Sequence, residues 1–316
     1  MTAPDARRTK AGRAEKPWAA ERLRKWLLGQ RWFTSVLLPA LPRRVRWALR
    51  RAYLAPIDVA DRVLRRGSSG VPPKAATFTG AVDDFAGSGE FLVDVLSEVA
   101  GLTPASAVLD VGCGVGRFAR AMALYLDARG RYDGLDIVPA GIAWCNSNIS
   151  SQHDNVHFAL ADVRNREYNP KGRHSAADYT FPYAADTFDL AVLISVFTHM
   201  MTAEVDRYFS ELARVLKPGG RCFATLFLIT PESIDGMAAG NAMMRFKPLT
   251  GPCWTIGTRV PELAVAFEED YISGICAKHG LAIQNPIYRG TWYGEASPWP
   301  DGSGLGGQDT IIATKQ

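Results

Sequence analysis

The chain has 316 residues, of which 47% are hydrophobic, so it is long and apolar enough to bury a large core without covalent staples. Its five cysteines include no C-x-x-C pair, which argues against a disulfide framework and a zinc site and favours a reducing cytoplasm. The net charge of +4 is unevenly spread: residues 1–70 carry 17 Lys and Arg against 5 Asp and Glu, and residues 71–316 carry 19 against 27.

Residues 1–70 form a basic extension, predicted to be disordered over 1–16 and then helical, with breaks at Pro39, Pro42 and Pro56. Aromatic residues are interleaved with its arginines, a composition typical of segments that lie on anionic membranes. Its longest apolar run, 32–41, is roughly half the ~20 residues that a spanning helix needs. We therefore expect this extension to pack inside the protein or between copies, with peripheral membrane contact through residues 1–66 as the alternative.

A turn-rich stretch at 67–73 predicts a linker, so the second domain is expected to cover residues 71–316. Within it, apolar residues recur at helical spacing over Phe85–Val99. The buried strand Ala107–Val111 comes next and ends in a glycine-rich turn over 112–116, which opens another helix. Such a strand, turn and helix bring main-chain N–H groups close to a ligand.

The spacing of this turn is Asp-x-Gly-x-Gly-x-Gly, beginning at Asp110. Dinucleotide sites use G-x-G-x-x-G instead, and an acid at this position would face pyrophosphate unfavourably. A carboxylate would attract the ammonium group of a methionine moiety. The turn thus resembles motif I of the class I S-adenosylmethionine-dependent methyltransferases.

Later segments follow the order of the same family. They are the strands 131–137, 156–163 and 188–195, a helix end and turn at 213–220, and the strands 281–284 and 307–315. The resemblance implies an α/β fold with a doubly wound, seven-stranded, mostly parallel sheet and an antiparallel last strand. It also implies S-adenosyl-L-methionine as the cofactor.

The family pattern assigns cofactor contacts residue by residue. Asp136 ends the second strand about 20 residues after the glycine turn, where ribose hydroxyls are bound. Asp162 matches a carboxylate that often binds the adenine amino group, although it could equally begin a solvated loop. Cys113 is interpreted as a small packing residue of the turn rather than a nucleophile. The expected cofactor-binding residues are Asp110, Gly112, Cys113, Gly114, Gly116, Asp136, Ile137, Asp162, Val163 and Ser195.

His199 is the candidate catalytic residue, because it follows the fourth strand at the edge where open α/β sheets bind ligands. In the family a histidine in this context borders the site, as a general base or as a positioning group. A base suits a hydroxyl acceptor, which must lose a proton. The insertion 229–262 is interpreted as a lid over an apolar acceptor or as a structural cluster, and no metal site is expected.

The sequence therefore predicts an S-adenosylmethionine-dependent methyltransferase that acts on oxygen of a small-molecule, glycan or lipid-linked acceptor. It is expected in the cytoplasm, with the membrane contact described above as an addition. Nucleic acid is not expected as a partner, because Ser195-Val196-Phe197-Thr198 replaces the Asn/Asp-Pro-Pro-aromatic turn of base-modifying relatives. One alternative is an NAD-dependent short-chain oxidoreductase, but the sequence lacks the Tyr-x-x-x-Lys pair that such enzymes use for proton transfer. The other alternative is a non-catalytic S-adenosylmethionine-binding module.

Overall fold

The computed structural model describes residues 43–63, 71–77, 85–166, 168–257, 260–296, 299 and 305–316. The chain divides into two compact units, residues 1–65 and 66–316. The described part of the first unit is the helix α1, Arg43–Val63. The predicted disorder at 1–16, the breaks at Pro39 and Pro42 and the linker residues 67–70 lie outside the described residues.

Helix α1 continues through Pro56, so the predicted break at this residue is wrong. A proline inside a helix removes one N–H donor and crowds one carbonyl, at a cost of about 3 kcal/mol. The remaining backbone hydrogen bonds of a 21-residue helix can absorb that local cost. No helix in the described part of the chain is both long and apolar enough to cross a membrane.

The described residues of the second unit include eleven strands. They are β1 Ala107–Val111, β2 Arg131–Asp136, β3 Val156–Leu160, β4 Phe188–Leu193, β5 Leu216–Leu226, β6 Leu228–Ile229, β7 Lys247–Thr250, β8 Cys253–Thr255, β9 Val265–Glu268, β10 Leu281–Ile283 and β11 Asp309–Lys315. Seven of them form the main sheet in the order β10-β11-β5-β4-β1-β2-β3. Strand β11 is antiparallel to both neighbours, and the pairs among the other strands are parallel. This confirms the predicted sheet.

Helices cover both faces of this sheet. The helices of this unit are α2 Phe85–Val99, α3 Arg117–Tyr125, α4 Pro139–Asn148, α5 Thr202–Val215, α6 Pro231–Ala239 and α7 Glu269–Lys278. Successive side chains of a strand point to opposite faces, so Val108 packs with α2, α3 and α4, whereas Leu109 packs with α5 and α7. The doubly wound arrangement follows, and the predicted helix at 85–99 is confirmed as α2.

The insertion has a core of its own. Strands β6 to β9 form a separate four-stranded sheet in the order β6-β9-β8-β7. Phe227, Phe246 and Trp292 pack together beside it, with ring centroids 5.2 to 5.6 Å apart. The described part of the insertion thus belongs to a layer that also contains Phe227, β9 and Trp292, and its role as a lid stays a prediction.

One buried carboxylate ties this layer to the main sheet. Asp309 is fully buried at the start of β11 and accepts hydrogen bonds from the Leu228 amide, the Gly290 amide and the Trp292 indole, at 2.8 to 2.9 Å. Burial raises the pKa of Asp309, and the three donors oppose that shift. The side chain therefore joins β6, the 290 loop and the aromatic cluster at one point.

Replacing Asp309 by Asn should destabilise the protein by roughly 3 kcal/mol, because the amide group of Asn turns a donor toward donors and leaves them unsatisfied. Glu90→Gln serves as the matched control. Its exposed pair with Arg120 spans 3.4 Å and should contribute less than about 1 kcal/mol. Urea unfolding at pH 7 measures both variants, and equal midpoints for Asp309→Asn and wild type would contradict the assigned role.

Candidate active site

A cavity of about 410 Å³ opens at the carboxyl ends of β1, β2 and β4. Parallel strands of an open sheet bind ligands at this edge, because their ends and the following loops converge there. The polar and aromatic lining residues include Asp110, Asp136, Ser195, Glu204, Arg117, Arg164, Asn165, His199, Tyr168 and Tyr208. Most other lining residues are apolar.

Asp110 lies on the floor of the cavity near the end of β1 and is 5% exposed. The Tyr132 hydroxyl donates a 2.5 Å hydrogen bond to its Oδ2 atom. Burial raises the pKa of Asp110 to about 7; the hydrogen bond from Tyr132 opposes the shift, and the nearby Asp136 carboxylate adds to it. Near neutral pH this acid is therefore poised between its neutral and ionised forms.

Asp136 lies at the end of the neighbouring strand β2, where Asp110 pairs in register with Gly134. Its two oxygens accept from the Gly114 amide at 2.8 Å and the Val138 amide at 2.7 Å. Burial raises the pKa of Asp136 to about 6, against the effect of these amides. The glycine turn is thus fastened to β2 through the acid that the sequence assigned to ribose.

The glycine turn adopts the left-handed conformation at Gly112, Gly114 and Gly116, with φ of 84°, 60° and 78°. A side chain at Gly112 would also collide with its surroundings, because an added Cβ would lie 2.6 Å from Val196 Cγ2. Both constraints require glycine at this position. Burial raises the pKa of the Cys113 thiol well above its usual range, which agrees with a packing role rather than a nucleophilic one.

Of the predicted cofactor residues, seven line the cavity, namely Asp110, Gly112, Cys113, Asp136, Ile137, Val163 and Ser195. Gly114 and Gly116 support the turn behind it. Asp162 is turned away: its carboxylate pairs with Arg173, and β3 has already ended at Leu160. Arg173 is 81% exposed, so this pair is a weak surface interaction, and the contact of Asp162 with adenine stays a prediction.

Ser195 adopts a left-handed conformation with φ of 58°, which is uncommon for a residue other than glycine. Its amide donates to Thr225 Oγ1 at 2.8 Å, and its hydroxyl receives a 2.9 Å hydrogen bond from Gln308 Nε2. Thr225 and Gln308 also bond to each other at 2.6 Å. This network from β5 and the loop before β11 holds the strained residue against the cavity, as is typical of functional sites.

His199 lies in a short 3₁₀ helix, Phe197–His199, and lines the cavity. Its Nδ1 atom is 2.9 Å from the carbonyl oxygen of Glu262, the last residue of the predicted insertion. A carbonyl oxygen only accepts, so Nδ1 carries the proton and Nε2 is the basic nitrogen of the neutral ring. The Tyr168 ring packs edge-on against the imidazole at 5.6 Å.

Sequence reasoning missed several lining residues. Arg117 begins α3 directly after the glycine turn; burial lowers its pKa, and Asp110 opposes that shift. Arg164 and Tyr168 come from the loop after β3, and Glu204 and Tyr208 from α5. The position of Arg117 after the turn was a usable signal, whereas the others reach the cavity only through tertiary packing.

Comparison with known proteins agrees with this site. Residues 109–224 match the family model of a methyltransferase domain. The methyltransferase GfsG of Streptomyces halstedii is 30% identical over 160 residues, which cover 50% of each chain. The sterol methyltransferase-like 3 of Botryococcus braunii is 25% identical over 215 residues, covering 64% of this chain and 50% of the relative. The chain thus spans about half the length of these curated relatives.

Among solved structures, a SAM-dependent methyltransferase from Aquifex aeolicus aligns with a TM-score of 0.44 and 14% identity, over 72% of this chain and 90% of that one. The family model identifies residues 109–224 as a methyltransferase domain, and the model together with the strand order of the main sheet supports the class I S-adenosylmethionine-dependent methyltransferases. S-Adenosylmethionine is the cofactor. The residues fit it, because two buried acids face a cavity that must take a sulfonium and an ammonium group.

The pKa values make cofactor binding pH-dependent. A cationic ligand favours ionised Asp110, so affinity for S-adenosylmethionine should fall as the pH is lowered from 8 to 5.5 and these acids take up protons. Calorimetric titration should show this loss for wild type. Asp110→Asn should bind weakly at pH 8 and show a flatter pH profile, because only Asp136 still titrates. A pH-independent wild-type affinity would contradict the account.

The ligand-free protein should show the opposite trend. Folding raises the pKa of Asp110, so the folded state holds its proton more tightly, and this stabilisation is lost progressively as the pH rises from 3.8 to about 7. Asp110→Asn should therefore raise the Tm at pH 8 and raise it by a smaller amount at pH 5.5. Scanning calorimetry without cofactor measures the Tm of wild type and variant at both pH values. A Tm of Asp110→Asn below that of wild type at pH 8 would contradict the expected effect of the buried acid.

Proposed function

We propose that this protein transfers a methyl group to an oxygen atom of a small organic acceptor, with His199 as the general base. One observation carries the proposal: His199 borders the same cavity as the two cofactor acids, and the Glu262 carbonyl oxygen fixes its Nδ1 atom at 2.9 Å. Methylation of oxygen requires a proton acceptor at this place. The basic nitrogen fits that requirement.

The cofactor supplies, when bound, a methyl group already activated by a positively charged sulfur. The remaining task of the protein is to orient the acceptor, and correct orientation can lower a barrier by about 7–11 kcal/mol. The Glu262 carbonyl and the Tyr168 ring hold the imidazole in place. His199 Nε2 then takes the hydroxyl proton as the oxygen attacks, and the apolar lining excludes competing water.

The acceptor class is a small molecule, a glycan or a lipid-linked compound. The open mouth of the cavity and its mostly apolar lining support an acceptor that inserts its reactive end and leaves the rest outside. A lid role for the insertion 229–262 is part of the proposal, because its last residue, Glu262, contacts His199. The names of the relatives include a sterol methyltransferase-like protein and an arsenite methyltransferase, so the acceptor must be found by experiment.

The test is a screen with S-adenosylmethionine labelled with tritium in its methyl group, over extracted small molecules, lipids and glycans. Transfer of label into a base-stable ether would support O-methylation. A protein that binds the cofactor but labels no fraction would favour the non-catalytic binding module. Binding of NAD in place of S-adenosylmethionine would favour the oxidoreductase alternative.

His199→Gln should lower kcat by about 10²–10⁴-fold, because it removes the basic nitrogen and keeps a hydrogen-bond donor. The Kd for S-adenosylhomocysteine should stay within about twofold, since only the acceptor side is altered. His157→Gln, at an exposed position of β3, is the matched control and should retain wild-type rates. A kcat unchanged in His199→Gln would exclude the base assignment.

We also propose a cytoplasmic location with peripheral membrane contact through residues 1–66. Five buried, unpaired cysteines support a reducing compartment. In α1, Val45, Leu49, Val59 and Val63 recur at helical spacing and are 41 to 75% exposed. An exposed apolar stripe in a segment of strong positive charge suits an anionic lipid surface.

The full chain should co-sediment with vesicles that contain phosphatidylglycerol and much less with vesicles of phosphatidylcholine alone, because its arginines need an anionic partner. Adding salt should weaken the binding. Leu49→Glu with Val59→Glu should abolish it, whereas Leu124→Glu, at an equally exposed site on α3, should not. Equal pelleting of all variants would remove the membrane proposal.

A further inference from the structure

The Tyr208 hydroxyl belongs to a buried side chain that lines the cavity. Tyr208 is 4% exposed, lines the cavity from α5, and makes no hydrogen bond to any residue that the structure describes. Its ring packs edge-on against Phe181 at 5.1 Å, which fixes the direction of the side chain. A hydroxyl in the wall of a largely apolar cavity that bonds to no described residue is available to a polar group of a bound ligand.

Glu204 lies one turn earlier on the same face of α5 and also lines the cavity. Residues four apart on a helix are neighbours, with Cβ atoms about 5–6 Å apart. The Oε2 atom of Glu204 accepts from the Met201 amide at 2.7 Å, and no donor among the described residues reaches Oε1. Burial raises the pKa of Glu204, against the effect of the Met201 amide and with a further contribution from Glu262.

We propose that Glu204 and Tyr208 form a subsite that binds a second hydroxyl group of the acceptor, beside the one methylated at His199. This inference rests on the proposed function and names the acceptor class, a compound with at least two hydroxyl groups. The subsite offers one acceptor, Glu204 Oε1, and one donor, the Tyr208 hydroxyl. A ligand hydroxyl donates to the first and accepts from the second, which satisfies both.

Other polar groups match this pair less well. An ammonium group has no lone pair to accept from Tyr208, so the phenolic proton would stay unsatisfied. A ligand carboxylate would accept from Tyr208 but repel Glu204. The cofactor acids Asp110 and Asp136 do not compete for the same role, because they are held by Tyr132 and by the amides of the glycine turn and Val138.

The first experiment measures stability without ligand. Tyr125→Phe is the matched control, because the Tyr125 hydroxyl bonds to Ser97 and to the Leu102 carbonyl away from the cavity. Removing that satisfied hydroxyl should lower the Tm by about 2–4 °C. Tyr208→Phe should leave the Tm unchanged or raise it. A loss equal to that of Tyr125→Phe would show a structural partner for Tyr208 and overturn the proposal.

The second experiment measures probe binding to protein saturated with S-adenosylhomocysteine. Calorimetry with catechol, resorcinol and phenol compares two hydroxyl spacings with a single hydroxyl. Wild type should bind at least one of the diols about tenfold more tightly than phenol. Tyr208→Phe and Glu204→Gln should lose this preference, and Gln keeps the oxygen that caps Met201. Tyr125→Phe should retain it.

The results distinguish failure of the proposed subsite from failure of the proposed function. Equal binding of the diols and phenol to wild type, or a preference that survives in both variants, would overturn the subsite alone. A loss of S-adenosylhomocysteine affinity in Tyr208→Phe as large as the loss for the diol would make Tyr208 a cofactor contact and also overturn it. Wild-type protein that fails to bind S-adenosylhomocysteine would overturn the proposed function and the subsite together.

Discussion

Two buried carboxylates at the ends of neighbouring parallel strands impose the main constraint on this molecule. Asp110 and Asp136 lie in a cavity where burial raises their pKa values to about 7 and about 6. The Tyr132 hydroxyl donates a hydrogen bond to Asp110, and the amides of Gly114 and Val138 donate to Asp136. The strand register places the two acids side by side, and the left-handed glycines shape the turn between them. A positively charged ligand would favour the ionised form of both acids.

Most of the fold could be predicted because its signals are local. Apolar β-branched strands, a glycine turn at a strand end and amphipathic helices gave the order of elements, and the main sheet matches it. The small sheet β6 to β9 was not predicted, because strands of two to four residues carry too little periodicity to be recognised. The break expected at Pro56 was wrong, because the prediction considered the helix-breaking effect of proline alone and not the hydrogen bonds of the other residues of the 21-residue helix.

The site residues also fall into those that a sequence motif predicts and those that only tertiary packing places. Residues tied to a motif, such as Asp110, Asp136 and Ser195, line the cavity as predicted, because the turn and the strand ends fix their positions. Asp162 pairs with Arg173, a residue of a loop that no motif describes, and its role toward the cofactor stays a prediction. Glu204 and Tyr208 carried no signal in the sequence: they matter only because α5 packs beside the sheet with that face toward the cavity. The proposed acceptor subsite is therefore the part of the cavity for which tertiary structure adds most to the sequence.

The central claim is that the cofactor binds to the ionised form of the two strand-end acids. Calorimetry of S-adenosylmethionine binding at pH 6.5, repeated in buffers of different ionisation enthalpy, counts the protons exchanged. The account predicts release of about one proton per cofactor bound at pH 6.5 and almost none at pH 8.5. Binding with no proton release at pH 6.5, or with proton uptake, would contradict it.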